Sequence, residues 1–95
     1  MPVTLCVLLD AVPGRETELA EYEDAVLALL PDHGARLVRR VRAVDPATVP
    51  LEVQVLEFPS EGALEAYLAD PRRAALADRR ERAVARTEVL RVEVV

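Results

Sequence analysis

The one histidine of this 95-residue chain is the side chain best suited to moving a proton. His33 alone has an unperturbed pKa near neutrality, so it is a candidate base toward an acidic carbon or a phenol. It also lies where a helix is expected to end, and an imidazolium there is stabilised by the helix dipole and by the adjacent Asp32. The sequence leaves both roles open, the catalytic base and the helix cap.

Four further side chains are candidates for a ligand site. Tyr22 and Tyr67 fall on the apolar stripes of two predicted helices, where a phenol can bind a ligand carbonyl or lie at the rim of the core. Arg80 follows Leu76 by four residues, so it can reach a cleft and stabilise an anion as a second catalytic group, or pair with the acidic first helix. Asp10 ends the first predicted strand as a cleft carboxylate or a turn residue.

Composition argues against several other kinds of chemistry. All 12 basic residues are arginine, so no lysine is available to form a Schiff base. Cys6 is expected to be a buried, inert thiol. One Cys and one His form no metal-binding cluster, so we expect no metal and no cofactor, with haem on His33 as the alternative. The sequence has neither a glycine-rich phosphate loop nor a Gly-x-Ser-x-Gly motif.

The charge balance indicates which partners the chain avoids. Its net charge is −5 and it has three aromatic residues, whereas nucleic-acid binders are usually basic and rich in stacking rings. Its apolar stretches are far shorter than the roughly 20 residues that span a bilayer, and its first residues lack the basic segment of a signal peptide. We therefore expect one cytoplasmic domain over residues 1–95 that binds neither nucleic acid nor membrane.

The periodicity of apolar residues predicts the elements that would position these groups. Strands are expected over 3–9, 36–43, 51–58 and 88–94, with helices over 15–30, 60–68 and 72–85. Gly34 is placed to end the first helix in a left-handed conformation, and Ser60 and Asp70 are placed as N-caps. The order strand, helix, strand, strand, helix, strand is typical of a ferredoxin-like βαββαβ domain, an α+β fold with a four-stranded antiparallel sheet and its helices on one face.

One face of this predicted sheet lacks a cover. Right-handed crossovers place the helices on the same side, yet the first strand is apolar on both faces, with Cys6 and Leu8 opposite its other apolar residues. Apolar surface of this extent rarely remains in water. The pattern therefore predicts a two-fold homodimer that packs sheet on sheet. On the second strand, Arg40 and Arg42 are expected to pair with Glu52 or Glu57 of its neighbour.

Short motifs along nearly the whole chain resemble a family of small uncharacterised proteins in the dimeric α+β-barrel superfamily. They are Phe58-Pro59-Ser60, then Leu64, Tyr67, Asp70-Pro71, Leu76 and Arg80, together with Tyr22 and His33-Gly34. The family often has Trp at the position of Tyr67 and Tyr at that of Arg73. The resemblance implies a dimer whose sheets face each other, with a cleft between sheet and helices in each subunit. Members of the superfamily include cofactor-independent monooxygenases, cyclases, lactone isomerases and haem-binding enzymes.

Three hypotheses of function follow. In the first, the cleft of a homodimer binds a small aromatic or carboxylated metabolite through Tyr22, Tyr67 and Asp10. In the second, the cleft is the active site of a cofactor-independent monooxygenase, cyclase or isomerase, with His33 as the base and Arg80 stabilising the anion. In the third, the chain is an interaction or regulatory module without a ligand. Polar groups aimed into an enclosed cleft would favour the first two.

Overall fold

The computed structural model describes all 95 residues and shows a single four-stranded antiparallel sheet with every helix on one side. The strands lie side by side in the order β2-β3-β1-β4. They are β1 (Val3–Ala11), β2 (Arg36–Arg42), β3 (Glu52–Phe58) and β4 (Val84–Arg91). The helices are α1 (Glu16–Leu27), α2 (Glu61–Leu68), α3 (Pro71–Ala74) and α4 (Ala77–Ala83), and a 3-10 turn, Leu30–His33, follows α1. The predicted ferredoxin-like α+β fold is confirmed.

Local capping chemistry sets the predicted helix starts, whereas α1 ends at Leu27, before the predicted residue 30, and a 3-10 turn separates it from Gly34. Gly34 has a φ of 68°, the left-handed conformation that glycine adopts without strain, and it ends the turn after α1. The Ser60 side chain accepts a hydrogen bond from the N–H of Ala63 at 3.1 Å and begins α2. Asp70 accepts from the N–H of Arg72 at 2.9 Å ahead of α3. These three residues therefore mark where helical segments end or begin.

The segment before the last strand differs from the prediction. Residues 72–85 were expected to form one helix, but the helix is interrupted after Ala74, and β4 begins at Val84 rather than at Glu88. The early start of β4 follows from tertiary pairing. Strand β1 continues to Ala11, where it pairs with Val84, and the N–H of Val12 donates to the carbonyl of Ala83 at 2.9 Å. Cross-strand pairing here overrides the local preference for helix.

The strands β1 and β3 lie at the centre of the sheet and are apolar on both faces. Toward the helices they present Val3, Leu5, Val7, Leu9, Leu56 and Phe58, all of them buried. Glu52 and Gln54 share this covered face and are also buried. On the other side lies the surface called here the open face, formed by Cys6, Leu8, Val41, Val53, Val55 and Leu90.

The open face has no cover from its own chain. Val41 and Leu90 at its sides are 52% and 45% exposed, and the four residues between them are partly exposed. The structure thus bears out the expectation that the helices cover one side only. None of the helices combines the length and the apolar character that crossing a bilayer requires.

Candidate functional site

A cleft between the helices and the covered face of the sheet is the candidate site. Its volume is about 410 Å³, within the range of small-molecule sites, and 11 of its 17 lining residues are hydrophobic. Strands β1 and β3 form an apolar floor, helices α1 and α2 form one wall, and β4 lies at the mouth. The polar residues of the lining are Glu23, Gln54, Arg73, Arg80, Thr87 and Arg91, besides the phenols of Tyr22 and Tyr67.

Helix α1 supplies the deepest polar groups because of its spacing. Leu19, Tyr22, Glu23 and Val26 repeat at three- and four-residue intervals, so they share the buried side of the helix. Tyr22 and Glu23 therefore lie against the sheet. Burial raises the pKa of the Tyr22 phenol, partly offset by the positive charge of Arg73. The Arg73 side chain lies within hydrogen-bonding reach of this hydroxyl, which stays protonated at neutral pH and can still donate its own proton to a ligand.

Tyr67 is held in place at both ends and forms a platform for Arg73. Its hydroxyl donates to the carbonyl of Val26 at 3.0 Å, and its ring packs against Phe58 at 5.5 Å between centroids. Burial raises the pKa of this phenol to about 12, so it does not ionise near neutral pH. The guanidinium carbon of Arg73 lies 4.7 Å from the centroid of the Tyr67 ring, a cation–π contact that orients the cation.

Arg73 carries the one buried side-chain polar atom of the protein that has no hydrogen-bond partner. Its Nε–H is enclosed, and nothing in the chain accepts from it. An unmade hydrogen bond of this kind costs about 1–3 kcal/mol, and more for a charged group. The guanidinium carries its charge permanently, so loss of a proton cannot relieve the cost. An acceptor from outside the chain would relieve it, and an anion would do so best.

A chain of buried polar groups runs from the edge of the sheet to the cleft. Glu52 is fully buried and accepts from Arg40 (Nε, 2.9 Å) and Arg42 (Nη2, 2.9 Å). The Gln54 amide nitrogen donates to Glu52 at 2.6 Å and to Glu23 at 2.8 Å. The predicted pairing of both arginines with Glu52 is confirmed. This row of hydrogen-bonded side chains ends at the carboxylate of Glu23, which lines the cleft.

Glu23 is the only carboxylate among the lining residues. It is 5% exposed, and burial raises the pKa of its carboxyl, an effect opposed by the hydrogen bond from Gln54 and reinforced by the nearby Glu52. Hydrogen bonds within the chain reach one of its oxygens, Oε1, from Gln54. The second oxygen accepts none, which leaves it available to a molecule in the cleft.

The structure brings some of the predicted site residues together and separates others. Tyr22, Tyr67 and Arg80 all line the cleft. Arg80 is exposed at the mouth, where its Nη2 lies 3.5 Å from the hydroxyl of Thr87, and it forms no ion pair with α1. Asp10 is outside the lining, because strand alternation puts it on the same side of the sheet as the open face, opposite Arg86 in register.

His33 also lies outside the lining. Its Nε2 is 2.8 Å from Oδ2 of Asp70, and its ring meets the edge of the Tyr67 ring at 5.7 Å between centroids. Arg72 binds the same carboxylate through two nitrogens and reaches Asp32 at 2.8 Å. The imidazole therefore joins the turn after α1 to the start of α3. Its ring contacts the lining residue Tyr67 but does not itself border the cleft, so the geometry does not favour the hypothesis of His33 as a base.

The Asp70 cluster is expected to make stability depend on pH. Hydrogen bonds from Arg72 and His33 hold the pKa of Asp70 well below its usual range. A lowered pKa in the folded state stabilises the protein above the unfolded value of about 3.9, and this stabilisation is lost as the pH falls further. Asp70→Asn should thus be less stable than the wild type at neutral pH, with the difference shrinking below about pH 4.

Urea unfolding of both proteins at neutral pH and at about pH 3 measures this difference. Asp78→Asn, in the exposed first turn of α4, is the matched control, and it should show little difference at either pH. A difference for Asp70→Asn that is equally large at both pH values would contradict the assignment.

Five polar lining residues were missed from the sequence: Glu23, Gln54, Arg73, Thr87 and Arg91. For Glu23 a signal existed, since it lies four residues after Leu19 and three before Val26, within the apolar stripe. Gln54 alternates with Val53 and Val55, and periodicity alone does not say which side the helices cover. No pattern marks Arg73 out from its arginine neighbours in the 72–86 segment.

A second depression, between α1 and α4, has a volume of about 440 Å³. It is lined only by charged side chains, Arg15, Glu18, Glu21, Arg79 and Arg82. It offers a ligand no apolar surface and no enclosed polar group, so the cleft remains the candidate site.

Solved structures share the fold of this chain over its whole length. A protein from Pseudomonas aeruginosa matches with a TM-score of 0.77 and 16% identity, covering 99% of this chain and 94% of that one. A dimeric protein of unknown function with a ferredoxin-like fold, from Bacteroides fragilis, matches at 0.74 and 17%, covering 98% and 96%. A dabb family protein with a ferredoxin-like fold, from Mesorhizobium loti, matches at 0.70 and 15%, covering 99% and 97%.

These neighbours agree with the resemblance seen in the sequence, and at such low identity they establish the fold alone. A scan against models of protein families gives no match, and neither does a sequence comparison with curated proteins.

Proposed function

We propose that this protein is a homodimeric binding protein whose sheet–helix cleft holds a small molecule with an apolar, aromatic-sized body and one carboxylate. The observation that carries the proposal is the state of Arg73, which lines a cleft with an apolar floor and whose buried Nε–H has no partner. The protein supplies the guanidinium cation, and a ligand would supply the acceptor that the Arg73 Nε–H lacks.

The charges of the lining favour an anion. Arg73, Arg80 and Arg91 face the cleft, against the one carboxylate of Glu23. Arg91 is neutralised by its ion pair with Glu61, whereas Arg73 and Arg80 have no acidic partner. Because the planar guanidinium presents its N–H groups in a fixed fork, a carboxylate is a better match than a neutral carbonyl.

The floor favours an apolar body attached to that anion. Leu5, Val7, Leu56 and Phe58 are buried in the core and also border the cleft. A flat hydrocarbon group lying on them would displace water from apolar surface, a favourable transfer of roughly 25 cal/mol per Å². A volume of about 410 Å³ admits one or two fused rings with their substituents.

The open face supports assembly as a dimer. Six apolar residues form one patch across the sheet, and its charged neighbours lie on the edge strands, Arg39 beside Val55 and Glu88 beside Leu8. A second copy brings an identical apolar surface, which a two-fold axis makes self-complementary. The ferredoxin-like protein from Bacteroides fragilis is itself described as dimeric.

The expected result is that naphthoate, used as a probe, binds the wild type and that Arg73→Gln weakens its binding about 10-fold or more, the value of a charged hydrogen bond. Isothermal titration calorimetry measures both affinities. Arg82→Gln is the matched control, because Arg82 lies on α4 outside the cleft. Arg73→Lys keeps the charge but not the fork, and should recover only part of the affinity.

Two results would overturn the proposal. One is naphthoate binding that Arg73→Gln and Arg82→Gln affect equally. The other is the absence of binding to the wild type by naphthoate, benzoate and their uncharged amides alike, which would favour the module without a ligand.

A further inference from the structure

We propose that the cleft selects acids that also carry a hydroxyl group, and that Glu23 accepts the hydrogen bond of that hydroxyl. This inference rests on the proposed function and adds to it a second recognition point. Arg73 would hold the carboxylate of the ligand, while the free oxygen of Glu23 would hold its hydroxyl. The ligand class is therefore a small hydroxy acid with an apolar or aromatic body.

The first support is the unequal use of the two Glu23 oxygens. Oε1 accepts from Gln54 at 2.8 Å, whereas Oε2 has no donor within the chain, although the residue is 5% exposed. A carboxylate has acceptor sites on both oxygens. Oε2 is not enclosed in the way that Arg73 Nε is, and Glu23 lines the cleft, so a ligand hydroxyl there can donate to it.

The second support is that the position of Glu23 is fixed before any ligand arrives. Its partner Gln54 is held by Glu52, and Glu52 is held by Arg40 and Arg42. Each side chain in this hydrogen-bonded row is thus oriented by its neighbour. A preorganised acceptor loses little conformational entropy on binding, which is the condition for discriminating between similar ligands.

The charges around the cleft favour a hydroxyl over an ammonium as the donor. Arg73 and Arg80 line the same space without an ion-pair partner, and an ammonium beside Glu23 would be repelled by them. A hydroxyl donates to Glu23 without adding positive charge. The ligand hydroxyl also has lone pairs, and the Tyr22 O–H can donate a hydrogen bond to one of them.

The test compares ligands as well as variants, so it does not depend on one substitution. The probes are benzoate, the three monohydroxybenzoate isomers and the corresponding methoxybenzoates, titrated into the wild-type protein. At least one hydroxy isomer should bind about 10-fold more tightly than its methoxy counterpart, which lacks the donor. The isomer preferred reports the separation between the carboxylate and hydroxyl sites.

Glu23→Gln is the matched variant. Its amide oxygen can still accept from Gln54, while its NH2 group now faces the cleft and offers a donor in place of an acceptor. The variant should lose the preference for the hydroxy isomer over its methoxy counterpart, and it should bind benzoate more tightly than the wild type, because a negative charge leaves the anion site. A thermal melt of the variant shows that it is folded.

The outcomes separate this inference from the proposed function. If benzoate binds and depends on Arg73, but no hydroxy isomer is preferred, the hydroxyl assignment is overturned and the anion site stands. A preference that survives in Glu23→Gln also overturns it. If neither benzoate nor any isomer binds the wild type, both proposals fall together.

Discussion

Val53→Lys is expected to convert the proposed dimer into monomers, weakening self-association by about 100-fold or more. Val53 is in the central strand β3 on the open face, opposite Leu8 on one side and Val41 on the other. In a sheet-on-sheet dimer an ammonium there would be buried among apolar groups without a partner, which costs several kcal/mol. In a monomer the same ammonium reaches water at little cost.

Analytical ultracentrifugation across micromolar concentrations measures the change. Val44→Lys is the control, because Val44 is a fully exposed apolar residue in the loop after β2 and should leave self-association unchanged. Circular dichroism should show both variants folded. A wild-type chain that sediments as a monomer throughout this range would refute the dimer, and so would a Val53→Lys variant that dimerises as well as the wild type.

Phe58→Ala is expected to lower the free energy of unfolding by about 3 kcal/mol. Phe58 is fully buried between the sheet and α2, and its ring packs on Tyr67. Truncation of a buried Phe costs about 3–5 kcal/mol, and we expect the lower end because the space left would join the cleft, which water can enter. For a domain of this size the loss corresponds to a melting temperature lower by roughly 12–24 °C.

Urea unfolding at one fixed protein concentration measures the loss, since dissociation of a dimer would otherwise contribute. Leu68→Ala is the matched control. It shortens a more than half-exposed side chain of α2 and should cost less than about 1 kcal/mol. Equal effects of the two substitutions would mean that Phe58 is not the anchor between sheet and helix that the structure shows.

The fold was largely predictable because its signals are short-range. Gly34, Ser60 and Asp70 mark ends of helical segments through bonds to residues within a few positions, so these boundaries could be inferred before any tertiary contact was known. The limits of β4 could not be inferred in this way. They depend on where Val84 meets Ala11, a residue 73 positions earlier in the chain.

The candidate site was predictable only in part. Tyr22 and Tyr67 were inferred correctly as residues of the cleft lining, since both occupy apolar stripes and such stripes face the sheet. His33 had the right chemistry for catalysis, but its contact with Asp70, 37 residues away, holds it outside the cleft. From the sequence, the adjacent Asp32 was the expected partner of the imidazole. In the structure Asp32 pairs with Arg72, and His33 pairs with Asp70.

The amino-acid sequence by itself determined the order of the elements, their caps and the surplus of apolar surface on the sheet, because periodicity and capping act within one helical turn or one pair of strands. Only the tertiary structure decided which polar groups are enclosed and left without partners. Glu23, Gln54 and Arg73 come from three different elements. Their meeting depends on how the helices cross the sheet, and no local pattern encodes the distances between segments that are far apart in the chain.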